Sequence, residues 1–180
     1  MATVKNSAQL VADEQDEDEL LSDETQLVTF KVDREEYGVH IMQVQEIIRL
    51  GDITRVPRAP AFVEGIMDLR GKVLPVVDLR KRFALGSKEH GETSRVVVVN
   101  IADMTLGLIV DAISEVLRLP NSAIEPPPRI IAGIDSRFLK GIGRLDKRLI
   151  ILLDLDKIFS TEEVLGLEQM GAEQGVEAAD

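Results

Sequence analysis

Residues 26–30, Gln-Leu-Val-Thr-Phe, and residues 95–99, Arg-Val-Val-Val-Val, are two copies of one segment in a duplicated sequence. At the same offset of 69 residues, Tyr37-Gly38-Val39 aligns with Leu106-Gly107-Leu108. Further along the chain the offset becomes 76, and the identical pairs there include Phe62 and Phe138, Gly65 and Gly141, Ile66 and Ile142, and Asp78 and Asp154. A repeat of this length is typical of one supersecondary plan that is used twice.

The repeated segments have the pattern of β-strands. Residues 27–32 alternate with a period near two, while residues 73–77, 96–99 and 149–153 form short apolar runs that are mostly β-branched. Such continuous runs predict strands that are buried on both faces. The pair Arg70-Gly71 predicts a tight hairpin turn. Many short strands separated by turn signals favour small closed barrels, because closure removes exposed strand edges.

Helices are expected only in short segments. Pro60 is expected to begin a short helix over residues 61–64. Asp78 and Asp154 are each expected to cap one helical turn after a strand. Ser160 and Glu163 have the spacing of a capping box and predict a C-terminal helix near residues 161–170. The apolar side predicted for this helix consists of Val164, Leu165 and Leu167.

The charge of the chain is concentrated in its two ends. The formal net charge is −11, and removing −7 for residues 1–24 and −6 for residues 161–180 leaves +2 for residues 25–160. We expect an acidic disordered N-terminal tail over 1–24, a globular domain over 25–160, and a C-terminal helix with an acidic tail over 161–180. A nearly neutral middle with few aromatic residues disfavours nucleic-acid binding.

Composition also restricts the chemistry. The chain has no cysteine, which excludes thiol catalysis and a cysteine-ligated zinc site. It has two histidines, His40 and His90, so a histidine-based metal or catalytic cluster is not expected. No apolar run is long enough for a transmembrane helix, and the N-terminus has no apolar core typical of a secretory signal. We therefore predict a cytoplasmic protein without cofactor or metal.

Motifs for catalysis are weak. Residues 65–72 superficially suggest a phosphate-binding loop, but the glycine spacing is wrong and Val73 occupies the place of the Ser or Thr that holds magnesium. Asp154 and Asp156 are two carboxylates close together after an apolar run, for which helix capping is the favoured role over a cation site. His40 is interpreted as a structural histidine and His90 as a loop residue. The sequence thus predicts a protein that is not an enzyme.

A basic segment points instead to surfaces for other proteins. Between Arg49 and Arg82 there are eight Lys or Arg residues and four acidic residues. One interpretation is a solvated face of mixed charge, and the other is a contact between Arg70 and an acidic partner. Arginine suits such a contact because its guanidinium pairs with carboxylates through two hydrogen bonds.

Residues 25–160 resemble the CheW family of bacterial chemotaxis coupling proteins. The motifs that carry the resemblance occur in order along the chain: Glu36-Tyr37-Gly38, Val44-Gln45-Glu46-Ile47, Thr54-Arg55-Val56-Pro57, Pro60-Ala61-Phe62, Gly65-Ile66, Leu69-Arg70-Gly71 and Leu74-Pro75-Val76-Val77-Asp78-Leu79-Arg80. Asp68 departs from the family, which commonly has Asn before Leu-Arg-Gly. Aspartate keeps the turn chemistry and adds a negative charge beside Arg70.

The resemblance implies a mainly β fold of two intertwined five-stranded SH3-like/OB-like β-barrel subdomains, with a few short helices and a C-terminal helix. It also implies a non-enzymatic chemotaxis adaptor that couples transmembrane chemoreceptors to the histidine kinase CheA in signalling arrays. The expected partners are the cytoplasmic hairpin tips of receptors and the regulatory domain of CheA. The expected location is the cytoplasm, at arrays on the inner face of the membrane, and the expected state without partners is monomeric.

The family's receptor-binding groove maps onto Ile41, Val44, Glu46 and Arg70. The resemblance predicts that Ile41 and Val44 contact an apolar helix face, while Arg70 and Glu46 orient the partner through polar contacts. It assigns no residue to the kinase contact. Three alternatives stay open: a coupling protein of a parallel chemosensory pathway such as surface motility, a barrel that binds nucleic acid or a small ligand, and an enzyme using Asp154 and Asp156.

Overall fold

The computed structural model describes residues 23–86, 88–128, 130–131 and 134–177, so most of the predicted N-terminal tail lies outside the described residues. The strands are β1 (Glu24–Val32), β2 (Glu35–His40), β3 (Val44–Arg49), β4 (Val63–Leu69), β5 (Lys72–Asp78), β6 (Arg95–Ile101), β7 (Met104–Val110), β8 (Ala112–Pro120), β9 (Ile124–Glu125), β10 (Ile130–Ile131), β11 (Ile134–Asp135), β12 (Leu139–Leu145) and β13 (Arg148–Leu153).

Helical segments are few, as predicted. The α-helices are α1 (Leu79–Arg82), α2 (Leu155–Ile158) and α3 (Thr161–Glu177), and the 3₁₀ turns are Ile41–Gln43, Asn121–Ala123 and Ser136–Phe138. Helix α3 extends to Glu177, beyond the end near residue 170 that the sequence predicts. None of the helices in the described part of the chain is long and apolar enough to cross a membrane.

The strands form three sheets: β10 and β11 pair as a small two-stranded sheet, and each of the two larger sheets closes on itself. The first barrel is the five-stranded sheet β3-β6-β7-β5-β4, and the second barrel is the six-stranded sheet β8-β1-β2-β13-β12-β9. In the first barrel, Thr54 follows edge strand β3 and pairs with Ile66 in the opposite edge strand β4. In the second barrel, edge strand β8 continues through a 3₁₀ turn into β9, which pairs with β12. The predicted pair of small barrels is confirmed.

The two barrels exchange their first strands. The first repeat supplies β1 to β5 and the second supplies β6, β7, β8, β12 and β13, yet β1 and β2 belong to the second barrel and β6 and β7 to the first. The exchange is visible in two equivalent parallel pairs, β5 with β7 and β13 with β2. The subdomains are therefore intertwined, as the resemblance implies.

The apolar runs are buried on both faces, as predicted, except at two first residues: Val73 is half-buried and Leu149 is 52% exposed. In β6, Val96 and Val98 join a small cluster with Leu74 and Met67 inside the first barrel. Val97 and Val99, the alternate residues of β6, belong to a larger cluster that includes residues of both barrels. This cluster lies between the barrels and is called the shared core below. Burial of this interface makes the two barrels one hydrophobic unit, because neither could expose such a face to water at low cost.

Three local predictions were wrong. The segment after Pro60 forms a turn instead of a helix, because β4 already begins at Val63 and its N–H donates to the carbonyl of Pro60 over 3.0 Å. Asp154 precedes α2, but its side chain makes no capping hydrogen bond. Leu165 is 53% exposed, so it lies off the packed side of α3.

The other capping predictions are confirmed. Asp78 caps α1 by accepting a hydrogen bond from the backbone N–H of Arg80. The capping box closes in both directions: Glu163 N–H donates to Ser160 Oγ over 3.1 Å, and Ser160 N–H donates to the Glu163 carboxylate over 2.8 Å. Leu167 on α3 is buried in the shared core, which attaches this helix to the barrels.

One polar group in the core is conspicuous. Tyr37 is fully buried, and its ring stacks with Phe30 and Phe83 at centroid distances of 6.2 and 5.5 Å. Among the described residues its hydroxyl has no hydrogen-bond partner. Burial, together with the negative charges of Glu35 and Asp33, raises the pKa of Tyr37 well above its ordinary value, so the group stays neutral.

We expect Tyr37→Phe to raise the free energy of unfolding by about 1 kcal/mol, because it removes a buried donor that is unsatisfied and leaves the ring packing intact. Urea denaturation followed by circular dichroism measures the change. A loss of stability of similar size would contradict the prediction, since it would mean that the hydroxyl has a partner in solution. Tyr37→Leu is the matched control and should lose stability, because it removes the stacked ring.

Candidate protein-binding surface

The candidate surface is built around β3, an edge strand of the first barrel. Its residues alternate between half-buried and exposed along the strand. Pairing with β6 shifts register between Val44 and Glu46, so Gln45 sits in a β-bulge. Gln45 donates hydrogen bonds to Asn100 and Thr105 on the β6–β7 hairpin. A bulged edge strand is a common way to aim side chains outward at a binding site.

Arg70 is positioned by the turn between β4 and β5. Arg70 and Gly71 both have positive φ, at 51° and 84°, which is the type I′ geometry of a two-residue hairpin. Asp68 Oδ1 accepts the Gly71 N–H over 2.8 Å, so aspartate does keep the turn chemistry at this position. The predicted hairpin turn is confirmed.

Closure of the first barrel brings Arg70 to Glu46. Arg70 Nη2 donates to Glu46 Oε1 over 2.7 Å, and the Arg70 side chain remains 73% exposed. An exposed ion pair of this kind adds little to stability. It does hold a guanidinium in a defined direction at the surface, with donors left over for a partner.

The two apolar candidates, Ile41 and Val44, lie where the chain enters β3. Ile41 opens a 3₁₀ turn, and the Val44 N–H donates to the Ile41 carbonyl at its end. Both side chains are half-buried and pack against the shared core, so they are available to a partner only in part. Met42 between them is 81% exposed, and sequence reasoning missed it.

The four predicted site residues contact one another as two pairs. Glu46 contacts Arg70, Ile41 contacts Val44 through the backbone, and β3 connects the pairs. An open cavity of about 370 Å³ adjoins Arg70, and the other residues that line it are Gln45, Leu69, Lys72, Val73, Leu74 and Thr105. Sequence reasoning did not single out Gln45 or Lys72 as site residues, because their places beside Arg70 depend on barrel closure.

Two arginines of the basic segment have internal roles. Arg80 is 6% exposed and donates to Asp111 through Nε and Nη2, the latter over 2.6 Å. Arg82 donates to the Ile158 carbonyl and to the Glu163 carboxylate, and its guanidinium lies over the rings of Phe62, Phe138 and Phe159. The positive excess of the segment is therefore partly used inside the fold and not offered to a partner.

The histidines and the C-terminal aspartates have different surroundings. His40 Nδ1 accepts the Met42 N–H over 3.2 Å, which agrees with the structural role predicted for His40. Asp154 pairs with Lys157 across one turn of helix. Among the described residues, one group of three side chains of metal-ligating type lies together, namely Glu64, Asp78 and His90. The sequence did not predict this group.

These features define a class: a duplicated, strand-exchanged pair of small β-barrels that presents a bulged edge strand and an ion-paired arginine at its surface. The chain belongs to the family described as the CheW-like domain, whose model matches residues 26–163. The resemblance found in the sequence is therefore confirmed.

Similar proteins support this assignment over most of the chain. Chemotaxis protein CheW of Treponema pallidum is 38% identical over 149 residues, which cover 81% of this chain and 88% of that protein. The crystal structure of scaffolding protein TtCheW from Thermoanaerobacter tengcongensis has a TM-score of 0.72 at 40% identity, covering 77% of this chain and 90% of that one. Protein FrzA of Myxococcus xanthus is 33% identical over 140 residues, covering 77% and 87%.

Proposed function

We propose that this protein is a non-enzymatic adaptor that couples the cytoplasmic hairpin tips of chemoreceptors to the histidine kinase CheA. Membership of the CheW-like family supports the proposal, as does the similarity to a protein described as a scaffold. The observation that carries it is the Arg70–Glu46 pair, because a guanidinium that is 73% exposed yet fixed by a carboxylate is suited to orienting a partner helix through polar contacts.

In this proposal the receptor contacts the candidate surface, comprising Ile41, Val44, Glu46 and Arg70. The apolar side chains meet an apolar helix face, and the ion pair sets the orientation of the helix. The regulatory domain of the kinase binds a separate surface, to which no residues are assigned. Two barrels give a linker two ends, and weak contacts at both ends gain avidity inside an array. The protein acts in the cytoplasm at the inner face of the membrane and is monomeric without its partners.

The test is a three-component co-sedimentation. Receptor-containing membranes and purified chemotaxis kinase are mixed with or without this protein, and kinase autophosphorylation is measured in the same samples. We expect the kinase to sediment with receptor and to change its activity only when the protein is present. A protein that binds neither partner, across several cognate candidates, would contradict the proposal.

We expect Arg70→Glu to weaken receptor binding by a factor of about 10 to 30, because it reverses the charge at the centre of the candidate surface. Circular dichroism should show an intact fold, since Arg70 is mostly exposed. The matched control is Arg144→Glu, which reverses an arginine that is 61% exposed and pairs with Glu125 in the second barrel. Arg144→Glu should leave receptor binding within about twofold of the original.

A charge swap separates direct contact from internal positioning. The double variant Glu46→Arg with Arg70→Glu restores an ion pair of reversed polarity. If Arg70 contacts the receptor, the double variant stays weak. Recovery of full binding by the swap would show that the pair acts only on the fold, and would overturn the assignment of Arg70 to the receptor contact.

The second candidate function is a coupling protein of a parallel chemosensory pathway, such as one for surface motility. The similarity to protein FrzA favours it, because that relative shows the family extends beyond the proteins named CheW. The same co-sedimentation distinguishes the two candidates when receptors and kinases of each pathway of the source cell are compared. Coupling restricted to the non-flagellar set would support this second candidate.

A further inference from the structure

Glu64, Asp78 and His90 converge on one side of the first barrel. Glu64 lies on β4, Asp78 ends β5, and His90 lies on the loop between α1 and β6. His90 Nε2 is 3.7 Å from Asp78 Oδ2 and 4.0 Å from Glu64 Oε2, and one ligand atom from each residue lies within 4.8 Å of the others. The three groups thus surround one point in space.

The donor set has a definite preference among cations. One imidazole nitrogen with two carboxylate oxygens is typical of zinc and related divalent transition metals, which take three protein ligands and a water. Ligand atoms around tetrahedral zinc are about 3.4 Å apart. The three ligand atoms lie within 4.8 Å of one another, so each pair must approach by at most about 1.4 Å, which side-chain rotation can supply. Calcium needs six to eight oxygens and magnesium a near-octahedral shell of oxygens, which this set does not supply.

We propose that Glu64, Asp78 and His90 form a binding site for a divalent transition metal of the zinc type. This site lies outside the candidate receptor surface, and it does not depend on the proposed coupling function.

Two carboxylate oxygens make this group more than a chance cluster. Asp78 is 2% exposed, and while its Oδ1 caps α1, its Oδ2 faces His90 beyond hydrogen-bonding distance. Glu64 Oε1 is buried and contacts Lys81 as an ion pair but without hydrogen-bond geometry, and its Oε2 faces His90.

The duplication provides an internal comparison. In the second repeat, Asp154 is the counterpart of Asp78, but Lys140 takes the place of Glu64. Asp154 is instead paired with Lys157. A site that were merely a by-product of the barrel plan would be expected at both ends, and here the donor set is assembled at one end only.

The metal would attach the loop between α1 and β6 to the first barrel. His90 is the ligand on that loop, whereas Glu64 and Asp78 come from paired strands of the barrel wall. Binding would therefore restrict the loop, and the free energy of unfolding would rise with the logarithm of the free metal concentration once this exceeds the dissociation constant.

Isothermal titration of the tag-free, chelator-treated full chain with ZnCl₂ tests the proposal, together with thermal melting at the same zinc concentrations. We expect one zinc per chain, a melting temperature that rises with zinc, and Co²⁺ absorption bands of a four-coordinate site. His90→Ala should weaken binding by about 100-fold or more, since loss of even an outer-shell partner costs about 10- to 100-fold.

His40→Ala is the matched control, because it removes the other histidine and should leave zinc affinity unchanged. Glu64→Gln keeps the size of the side chain and should weaken binding as well, with an unchanged circular dichroism spectrum as the check on folding. Absence of one-to-one zinc binding would overturn the proposal. Binding that His90→Ala does not weaken would also overturn it, since the metal would then be held elsewhere, for example by the acidic ends.

Discussion

Gly65→Ala is expected to lower the free energy of unfolding by about 4 kcal/mol, which is a large share of the roughly 5 to 15 kcal/mol of a typical domain. A Cβ at this position would lie 2.1 Å from the backbone oxygen of Thr54 and 2.8 Å from Ile53. The φ of Gly65 is 149°, where side chains are strained. Because Thr54 pairs with Ile66 to close the first barrel, the extra carbon would open that closure.

Urea denaturation of Gly65→Ala and Gly71→Ala side by side separates the two causes. Gly71 also has positive φ, at 84°, but a Cβ there meets nothing within 4 Å. We expect Gly71→Ala to lose only about 1 kcal/mol, from backbone strain alone. If both variants lost the same amount, the close approach to Thr54 would not be the reason for glycine at residue 65.

The duplication made the fold predictable in part. Strand positions followed from apolar runs, and Arg70-Gly71 gave the hairpin turn. The exchange of strands between barrels could not be derived from the residues, because Gly38 and Gly107 stand in equivalent places of the two repeats and the repeat pattern does not say which barrel each strand joins. Only the resemblance implied it. The failures at Pro60 and Leu165 were local, since tertiary packing decides whether a short segment becomes a turn or which side of a helix faces the core.

The candidate sites could also be predicted only in part, because tertiary packing decides which residues meet. The resemblance placed Glu46 and Arg70 together in function, and the structure places them 2.7 Å apart. The exposure of Met42 could not be predicted, because it depends on how a 3₁₀ turn lies on the shared core. The group of Glu64, Asp78 and His90 was missed because its members are far apart in sequence and meet only when strands β4 and β5 pair.

Asp111→Asn is expected to lower the free energy of unfolding by about 3 kcal/mol, because the buried Arg80 loses the carboxylate to which its Nε and Nη2 donate. Asp111 lies between β7 and β8, where the chain passes from the first barrel to the second. Its carboxylate accepts from Arg80 and also from the backbone N–H of Asp33 over 2.8 Å, so it joins both barrels. Asp33 itself is 3.4 Å from Arg80 and compensates only partly.

The pH dependence of this loss has a defined sign. Burial acts to raise the pKa of Asp111, but the hydrogen bonds and charge of Arg80 outweigh it and hold the pKa below its ordinary value. The carboxylate therefore stabilises the fold fully above about pH 4, and the contribution disappears as the pH falls through the lower pKa of the folded state. The stability difference between the original protein and Asp111→Asn should shrink accordingly below pH 4.

Two comparisons isolate the ion pair as the cause. Asp103→Asn removes an exposed carboxylate from the β6–β7 turn, where asparagine tolerates the φ of 62°, and should change stability by less than about 0.5 kcal/mol. The double variant Arg80→Met with Asp111→Asn should lose less than the sum of its two single variants, because it leaves no uncompensated buried charge. Strict additivity in this cycle would mean that the two side chains do not depend on each other, and that the barrels are held together by the shared apolar core alone.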